Sequence, residues 1–519
     1  MTKRIIGLFL VFFIMFSGMG VAASEAIIIA TNQSSSYAIR PDGSLWAWGR
    51  NQYGQLGDGT TEMRMIPILI MDDVIAVSAM NLTTMALRTD GTLWTWGNNV
   101  SGQIGDGTVT TRDRYFRVVE DNNRHSPVKI MDNVISISMG YFNAAAIRAD
   151  GSLWTWGTNA SGQIGDGTQT RSEFIDDTIT VIENNNRLRP VRVMEDVIAV
   201  RVGSRYMMAI RSDNSLWIWG LHKLGDYITD TYPSPVKIAE NIAEISAGSH
   251  HAALITNDGR LWTWGDNNSG EIGDGTKSVW NWTYVSEYAG VGYLYRSYAR
   301  LDFVEVLDDA IRVYAGHTST TAIRSDNSLW IWGREGGYTK LYPERFMENV
   351  RYISRRENKT LVIKTDGSLW TWGLTYLEEL ADEPFGSVNR TPAQVFDSVM
   401  LPTNLPIRVI VNNTILALDT NPTVVNDRTL VPFRAIFEAL SMDVEWDADT
   451  QTAIGTNEEL RIELPIGAPR AYINGVGEAL DTPSMLQDGR TLVPLRFVAE
   501  SMGAGVTWDG ASRIVRISK

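Results

Sequence analysis

The sequence contains no cysteine. That absence excludes disulfides, thiol nucleophiles, Cys-ligated zinc and a lipid-modified N-terminal cysteine. Histidine is scarce as well: His125, His222, His250, His251 and His317 are the whole set. Positive charge falls short, with 46 Lys and Arg against 60 Asp and Glu for a net charge of -14. A chain this acidic lacks the overall positive field on which nucleic-acid binding draws, so no nucleic-acid partner is expected. Long apolar runs are missing too. Lys3 and Arg4 precede an apolar run from Ile5 to Phe16 that gives way to small residues ending at Ala23. This is short of the roughly 20 residues that span a bilayer. It has the order of a secretory signal, read here as a cleaved peptide over 1–23, which leaves an exported chain without a membrane span. A charged fraction of 20% is too low for a disordered polyelectrolyte, and 519 residues are too many for one core.

Tryptophan and glycine are abundant, at 18 and 45, and one repeat explains both. Asp-Gly-Ser-Leu-Trp-Ala-Trp-Gly at 42–49 recurs with small changes at 90–97, 150–157, 213–220, 258–265, 326–333 and 366–373. The Asp, the Leu, both Trp and the closing Gly are kept in all seven copies. Trp46 to Trp370 is 324 residues over six intervals, a mean period of 54. Asp-Gly or Asp-Asn between apolar runs is the chemistry of a two-residue hairpin turn. Trp residues two apart on a strand share a face, so each sheet is expected to bury its rings against a neighbour. Four copies continue into Gly-Gln-x-Gly-Asp-Gly-Thr: 54–60, 102–108, 162–168, and 270–276 with Glu271 for Gln. Copy four keeps only Leu224-Gly225-Asp226. An aliphatic strand such as Val74–Val77 follows, giving about four strands per repeat, one propeller blade.

These motifs resemble the propeller named after the regulator of chromosome condensation, in a bacterial, secreted form. The resemblance covers about 27–400 and implies a mainly β, seven-bladed ring. A WD-type propeller has a shorter, more even period and a signature absent here. The resemblance also implies closure by mixing the chain ends, with Ala26–Ala30 completing the blade begun by Pro392–Phe396. Such propellers are largely interaction platforms, including secreted bacterial ones that inhibit β-lactamases.

After 400 the Trp pairs stop, and a second duplication appears at an offset of 62. Arg428-Thr429-Leu430-Val431-Pro432 matches Arg490-Thr491-Leu492-Val493-Pro494, and Val444–Asp447 matches Val506–Asp509. Each half reads as strand, turn, a helix opened by its Pro, then a strand, which makes a small α+β domain. This part, 407–519, resembles the copper amine oxidase-like N-terminal domain of exported bacterial proteins. No His follows His317, so a three-His copper site cannot be built there. The resemblance implies an accessory module that attaches to the cell envelope.

No catalytic set, metal site or cofactor site emerges. His251 stands seven before Asp258, where the other copies carry Ser35, Thr83, Asn143, Tyr206, Ser319 and Lys359. The mixture reads as structural hydrogen bonding. It is also variation on a rigid scaffold, which makes Tyr206 and His251 candidate contact residues. Asp266–Glu271 faintly resembles a calcium loop, but the equivalent turn at 98–103 lacks the carboxylates, so a turn is the reading. Arg or Lys two before the hairpin Asp in six copies reads as a local ion pair at the hairpin end.

Copies two, three and five carry insertions at 109–126, 169–189 and 277–302, all at one point of the repeat and therefore on one face of the ring. The third holds Trp280, Trp282, Tyr284, Tyr288, Tyr293, Tyr295, Arg296 and Tyr298. Tyr, Trp and Arg together are the composition of interface hot spots, although the same rings could fold back as a structural cover. The expectation is an exported, non-catalytic propeller that binds a protein or an envelope component. The alternatives are an envelope polysaccharide hydrolase or lyase, and an enzyme inhibitor of the β-lactamase-inhibitor type.

Overall fold

A computed structural model describes residues 28–519, apart from 33, 114, 116, 176–177, 222–230, 287–289, 297–298, 336–337, 357–358, 375–387, 398, 400–405, 488 and 510–512. The seven repeats form seven four-stranded antiparallel sheets between Ile29 and Phe396. The first is Ile29–Thr31, Ser35–Ile39, Leu45–Gly49 and Arg64–Met71, from the axis outward. The Asp-Gly hairpin joins the second and third strands, with Ile39 opposite Leu45 and Ser35 opposite Gly49. Gly49 holds φ of 108°, and a Cβ there would collide with the Ser34 carbonyl. Only glycine closes this strand.

The two Trp of each pair have different environments. The second, such as Trp96, Trp156, Trp219 and Trp332, is buried to under 2% exposure. Each such burial contributes about 4–6 kcal/mol of transfer free energy. The first is half-buried, and in six blades its indole N–H donates to the hydroxyl two residues before it, as Trp46 does to Ser44 Oγ at 2.9 Å; the fifth blade has Arg260 at that position.

The second motif joins neighbouring blades. Trp96 Nε1 donates to the Gln55 carbonyl of the preceding blade at 2.8 Å. Trp156, Trp219 and Trp332 do the same to Gln103, Gln163 and Glu271, at 2.9, 3.0 and 2.8 Å. Within each loop the Leu or Ile N–H is taken by an Asn side chain, as Leu56 N–H is by Asn51 Oδ1 at 2.9 Å. The next Gly must stay bare: a Cβ on Gly57 would lie 2.7 Å from Trp96 Nε1. Thus the tail of one repeat is a receptor for the Trp of the next.

Ring closure differs from the expected mixing of ends. Ile29–Thr31 pairs with Ser35–Ile39 in the first blade, while Val388–Phe396 is the outermost strand of a last blade that already has four strands of its own. The short link after Thr31 keeps that strand beside its sequential neighbour. The seam closes by side-chain packing instead. Ile28 and Ile29 share a core with Tyr352, Leu361 and Ile363. Trp48 meets Phe396 edge-on at 6.0 Å. The innermost strands surround a channel of about 130 Å³ lined by all seven blades. There Ser78 Oγ accepts the Met139 N–H of the next blade, and Ser138 the Val202 N–H, at 3.0 and 3.1 Å.

The C-terminal module is an intertwined duplication. One sheet combines Arg408–Val411 and Thr414–Ile415 of the first half with Gly505–Asp509 and Ile514–Ser518 of the second. A second sheet joins Asp443–Asp447 and Thr452–Thr456 to Arg470–Ile473 and Val476–Ala479, with Arg461–Pro465 between, and a third pairs Arg428–Pro432 with Arg490–Pro494, flanked by Thr423–Val425 and Met485–Gln487. Val431 lies opposite its own equivalent, Val493, on the pseudo-twofold axis. Each Pro of the repeated motif is the N-cap of a one-helix segment, Phe433–Ala439 and Leu495–Ser501, rather than its first residue. The module sits against the third blade: Arg516 donates to the Ala149 carbonyl at 2.7 Å, and Ile410, Ile415 and Ile514 pack with Ala149 and Ile135.

Candidate binding face

Six of the variable polar positions lie in the core and do not form a contact ring. Each described one lies opposite the closing Gly of its blade and is buried: Ser35, Thr83, Asn143, Tyr206, His251 and Ser319. Tyr206 and His251 are therefore corrected from contact residues to core residues. Tyr206 donates its hydroxyl to the His251 carbonyl at 2.8 Å, and His251 Nε2 lies 2.9 Å from Thr320 Oγ1. Burial pulls the His251 imidazole down to about 3, with His250 and His317 adding to the effect. Positional variation there reflects how each blade fills the space beside its Gly.

The three insertions have a common form. Thr111–Arg112 with Val118–Glu120, Arg171–Ile175 with Thr178–Glu183, and Val279–Ser286 with Gly290–Arg296 are antiparallel two-stranded ribbons. Each leaves its blade between the third and outermost strands, beyond the latch loop (the Gly-Gln-x-Gly-Asp-Gly-Thr segment that receives the next blade's Trp), so the three stand on one face of the ring. Their bases are fixed alike. Thr110, Thr170 and Ser278 return their N–H groups to the carbonyls of Asn99, Asn159 and Asn267 at 2.9, 2.9 and 2.8 Å. On the exit side Arg124, Arg187 and Arg300 donate Nε to Asp106, Asp166 and Asp274 at 2.7, 2.6 and 2.7 Å. For these carboxyls burial alone would raise the pKa. The bonds from Thr and Arg outweigh it and hold them below the usual carboxylate range.

In the third ribbon Trp280 lies opposite Tyr295, Trp282 opposite Tyr293, and Tyr284 opposite Val291. Directly opposed residues share a face, as do residues two apart. Five of the eight candidate loop residues therefore occupy one face of the ribbon, and Arg296 the other. Tyr288 and Tyr298 lie outside the described residues, as do Leu224, Gly225 and Asp226. The first ribbon exposes Tyr115, Val118 and Val119, the last at 70%. Sequence reading passed over these three because a polar, Arg-rich stretch surrounds them.

Other expected features have simpler places. The hairpin Asp42 accepts the Ser44 hydroxyl and N–H at 2.6 and 3.0 Å, a bond pair that keeps its carboxyl below the ordinary range. The basic residue before it does pair locally, but with a different acid. Arg88 and Arg211 reach Asp73 and Asp196, in the turn that enters the innermost strand of the same blade, at 2.8 and 2.9 Å. Arg40, Arg148, Arg211, Arg324 and Lys364 also lie over the first Trp ring of their blades. Asp266–Glu271 is the fourth latch loop, with Glu271 Oε2 accepting the Ser269 N–H at 2.6 Å. Among the described residues no group of three His, Asp or Glu is placed to hold a metal ion. Nor is any described helix long and apolar enough to cross a membrane.

The regulator of chromosome condensation (RCC1) repeat model matches residues 42–87, 90–147 and 150–210, and a second model of that repeat matches 27–55, 74–103, 134–163 and 242–271. The copper amine oxidase N-terminal domain model matches 410–517. The chain is 25% identical over 199 residues to the E3 ubiquitin-protein ligase HERC2 of Mus musculus, covering 38% of this chain and 3% of that protein. It is 26% identical over 203 residues to the ultraviolet-B receptor UVR8 of Arabidopsis thaliana, covering 38% of this chain and 41% of the receptor. Human WBSCR16 superimposes with a TM-score of 0.51 at 15% identity, over 70% of this chain and 95% of that one. Yeast RCC1 (Prp20), in its structure with Kap60, gives 0.51 at 15% identity, over 73% and 85%. These structures share the fold. The chain thus carries regulator of chromosome condensation repeats closed into a seven-bladed propeller, followed by a copper amine oxidase N-terminal domain.

Proposed function

We propose that this is an exported, non-catalytic binding protein whose propeller presents the three ribbons to a protein partner, and whose C-terminal module attaches it to the cell envelope. One observation carries the reading: three insertions, anchored alike, stand on one face of a rigid ring, and the third aligns Trp280, Trp282, Tyr284, Tyr293 and Tyr295 on one side. Aromatic side chains supply large contact area at low entropic cost, and a rigid frame limits the ordering penalty of binding. Exposed Tyr115, Val118 and Val119 add apolar surface to the same face. A propeller of like fold, yeast RCC1, is itself known in complex with a protein, Kap60. Export rests on the Lys3-Arg4 and Ile5–Phe16 pattern at the N-terminus.

The test is affinity capture from secreted and envelope fractions, using the chain lacking 1–23. A stoichiometric protein partner should be retained, and replacing 279–296 by a short Gly-Ser turn should release it. Retention unchanged by that replacement, or glycan turnover abolished by one Asp or Glu substitution, contradicts the reading.

A further inference from the structure

The C-terminal module contains a groove of about 130 Å³ between its two halves. Its floor is apolar, from Leu480 and Pro494, and its walls carry Arg428, Asp481, Arg496 and Glu500. The duplication provides an internal control on which residues matter. Aligned at the offset of 62, residues 407–457 and 469–519 agree at 16 of 51 positions. Of the ten residues lining the groove, nine recur identically in the other half, and only Phe497 differs, as Ala435. The divergence of the two halves has therefore spared this surface more than the rest of the module.

Packing accounts for part of that. Arg428 pairs with Asp481 across the halves, and the equivalent Arg490 pairs with Asp419, each at 2.7 Å. It does not account for Arg496 and Glu500 or their equivalents, Arg434 and Glu438. All four side chains lie on the exposed face of their short helices. Arg496 and Glu500 approach only to 3.9 Å, and they bridge nothing between the halves. An exposed pair that loose adds little to stability.

The charge pattern defines what the groove would recognise. The four charged groups lining the groove, two guanidinium groups and two carboxylates, sum to zero beside the apolar Leu480 and Pro494. A ligand of one sign would meet a like charge among them. One carrying a carboxylate and an ammonium a few ångströms apart satisfies both, with the carboxylate on the Arg496 guanidinium fork. We propose that the groove, and its equivalent in the other half, binds a short zwitterionic peptide. Two weak sites on one rigid module would act together on a polymer that displays such peptides repeatedly. The inference gives the attachment role of this module a ligand class, and it is independent of what the ribbons bind.

Isothermal titration of the full chain with alanyl-alanine tests it, with N-acetyl-alanyl-alanine amide as the uncharged control. The expected result is saturable binding at two sites by the dipeptide and at least about tenfold weaker binding by the control. Arg496→Gln should abolish one site and Arg434→Gln the other, with circular dichroism unchanged because both side chains are exposed. Arg496→Lys should retain part of the binding. Equal binding of the uncharged control, unaltered stoichiometry in both Gln variants, or no saturable heat at millimolar peptide overturns the proposal. Loss of binding to envelope material by the Gln variants with ribbon-dependent capture intact would separate this site from the propeller's.

Discussion

The Trp332 indole N–H reaches across the seam between the fifth and sixth blades to the main-chain carbonyl of Glu271, at 2.8 Å. Thr320 Oγ1 donates to the same carbonyl at 2.8 Å and stands 2.9 Å from His251 Nε2. In the other three latch loops the Glu271 position is Gln. This one seam therefore has an ionisable side chain where the others have an amide, at the root of the aromatic ribbon.

Burial pushes the Glu271 carboxyl up to about 7 from an ordinary 4.5. The folded chain then holds a proton that the unfolded chain has released, so stability falls as pH rises from 4.5 to 7. Glu271→Gln should remove that penalty. It should stabilise the chain at pH 8 by about 1–3 kcal/mol and leave it nearly unchanged at pH 4.5. Urea unfolding of the two proteins at both pH values measures the difference.

His251 acts in the opposite direction. Its ring is neutral when folded down to about pH 3, whereas an unfolded His takes a proton near 6.5. Stability is lost as pH falls below 6.5. His251→Thr, the residue the second blade uses, should cost stability at pH 7 through lost packing yet lose less than the parent between pH 7 and 5. Parallel unfolding curves at the two pH values check this.

The latch itself is open to test. Trp96→Phe keeps most of the ring but leaves the Gln55 carbonyl without that donor, at a cost of about 1–2 kcal/mol. Gly57→Ala combines a positive φ of 88° with a Cβ placed 2.7 Å from Trp96 Nε1, for roughly 2–4 kcal/mol. Thermal unfolding should rank the alanine variant below the phenylalanine one.

The module's seat on the third blade depends on Ile415, which is buried against Ile135 and Ala149. Ile415→Asp places a charge there and should free the module. Small-angle scattering should then report a larger radius, and protease should cut faster between 400 and 407, while both bodies keep their circular dichroism.

Much of this architecture was legible in the sequence because the repeat supplied it seven times. Asp-Gly turns, paired Trp and the closing Gly specify a hairpin, and repetition specifies the ring. The Gln-Gly-Asp loop was visible as a motif, but its role was not. A main-chain carbonyl accepting an indole proton from the next blade leaves no mark on side-chain identity. The Gly that receives the Trp ring is the one residue that records it. Tyr206 and His251 were misplaced for a related reason. Variability in one column looks the same whether the residue meets a partner or fills a gap beside a glycine. Closure was misjudged because strand exchange and face packing use the same aliphatic residues. The ribbon aromatics were visible in composition, and the pairing register of 279–296 then put five of them on one face.

The most direct measurement is the affinity of the captured partner for the chain carrying Trp282→Ser and Tyr293→Ser, opposed residues on that face, compared with Asn281→Ser and Leu294→Ser on the other. The account predicts a loss of at least about a hundredfold, 2.7 kcal/mol, for the aromatic pair, and little change for the second. Equal affinity for both, in a chain with unchanged circular dichroism, would contradict it.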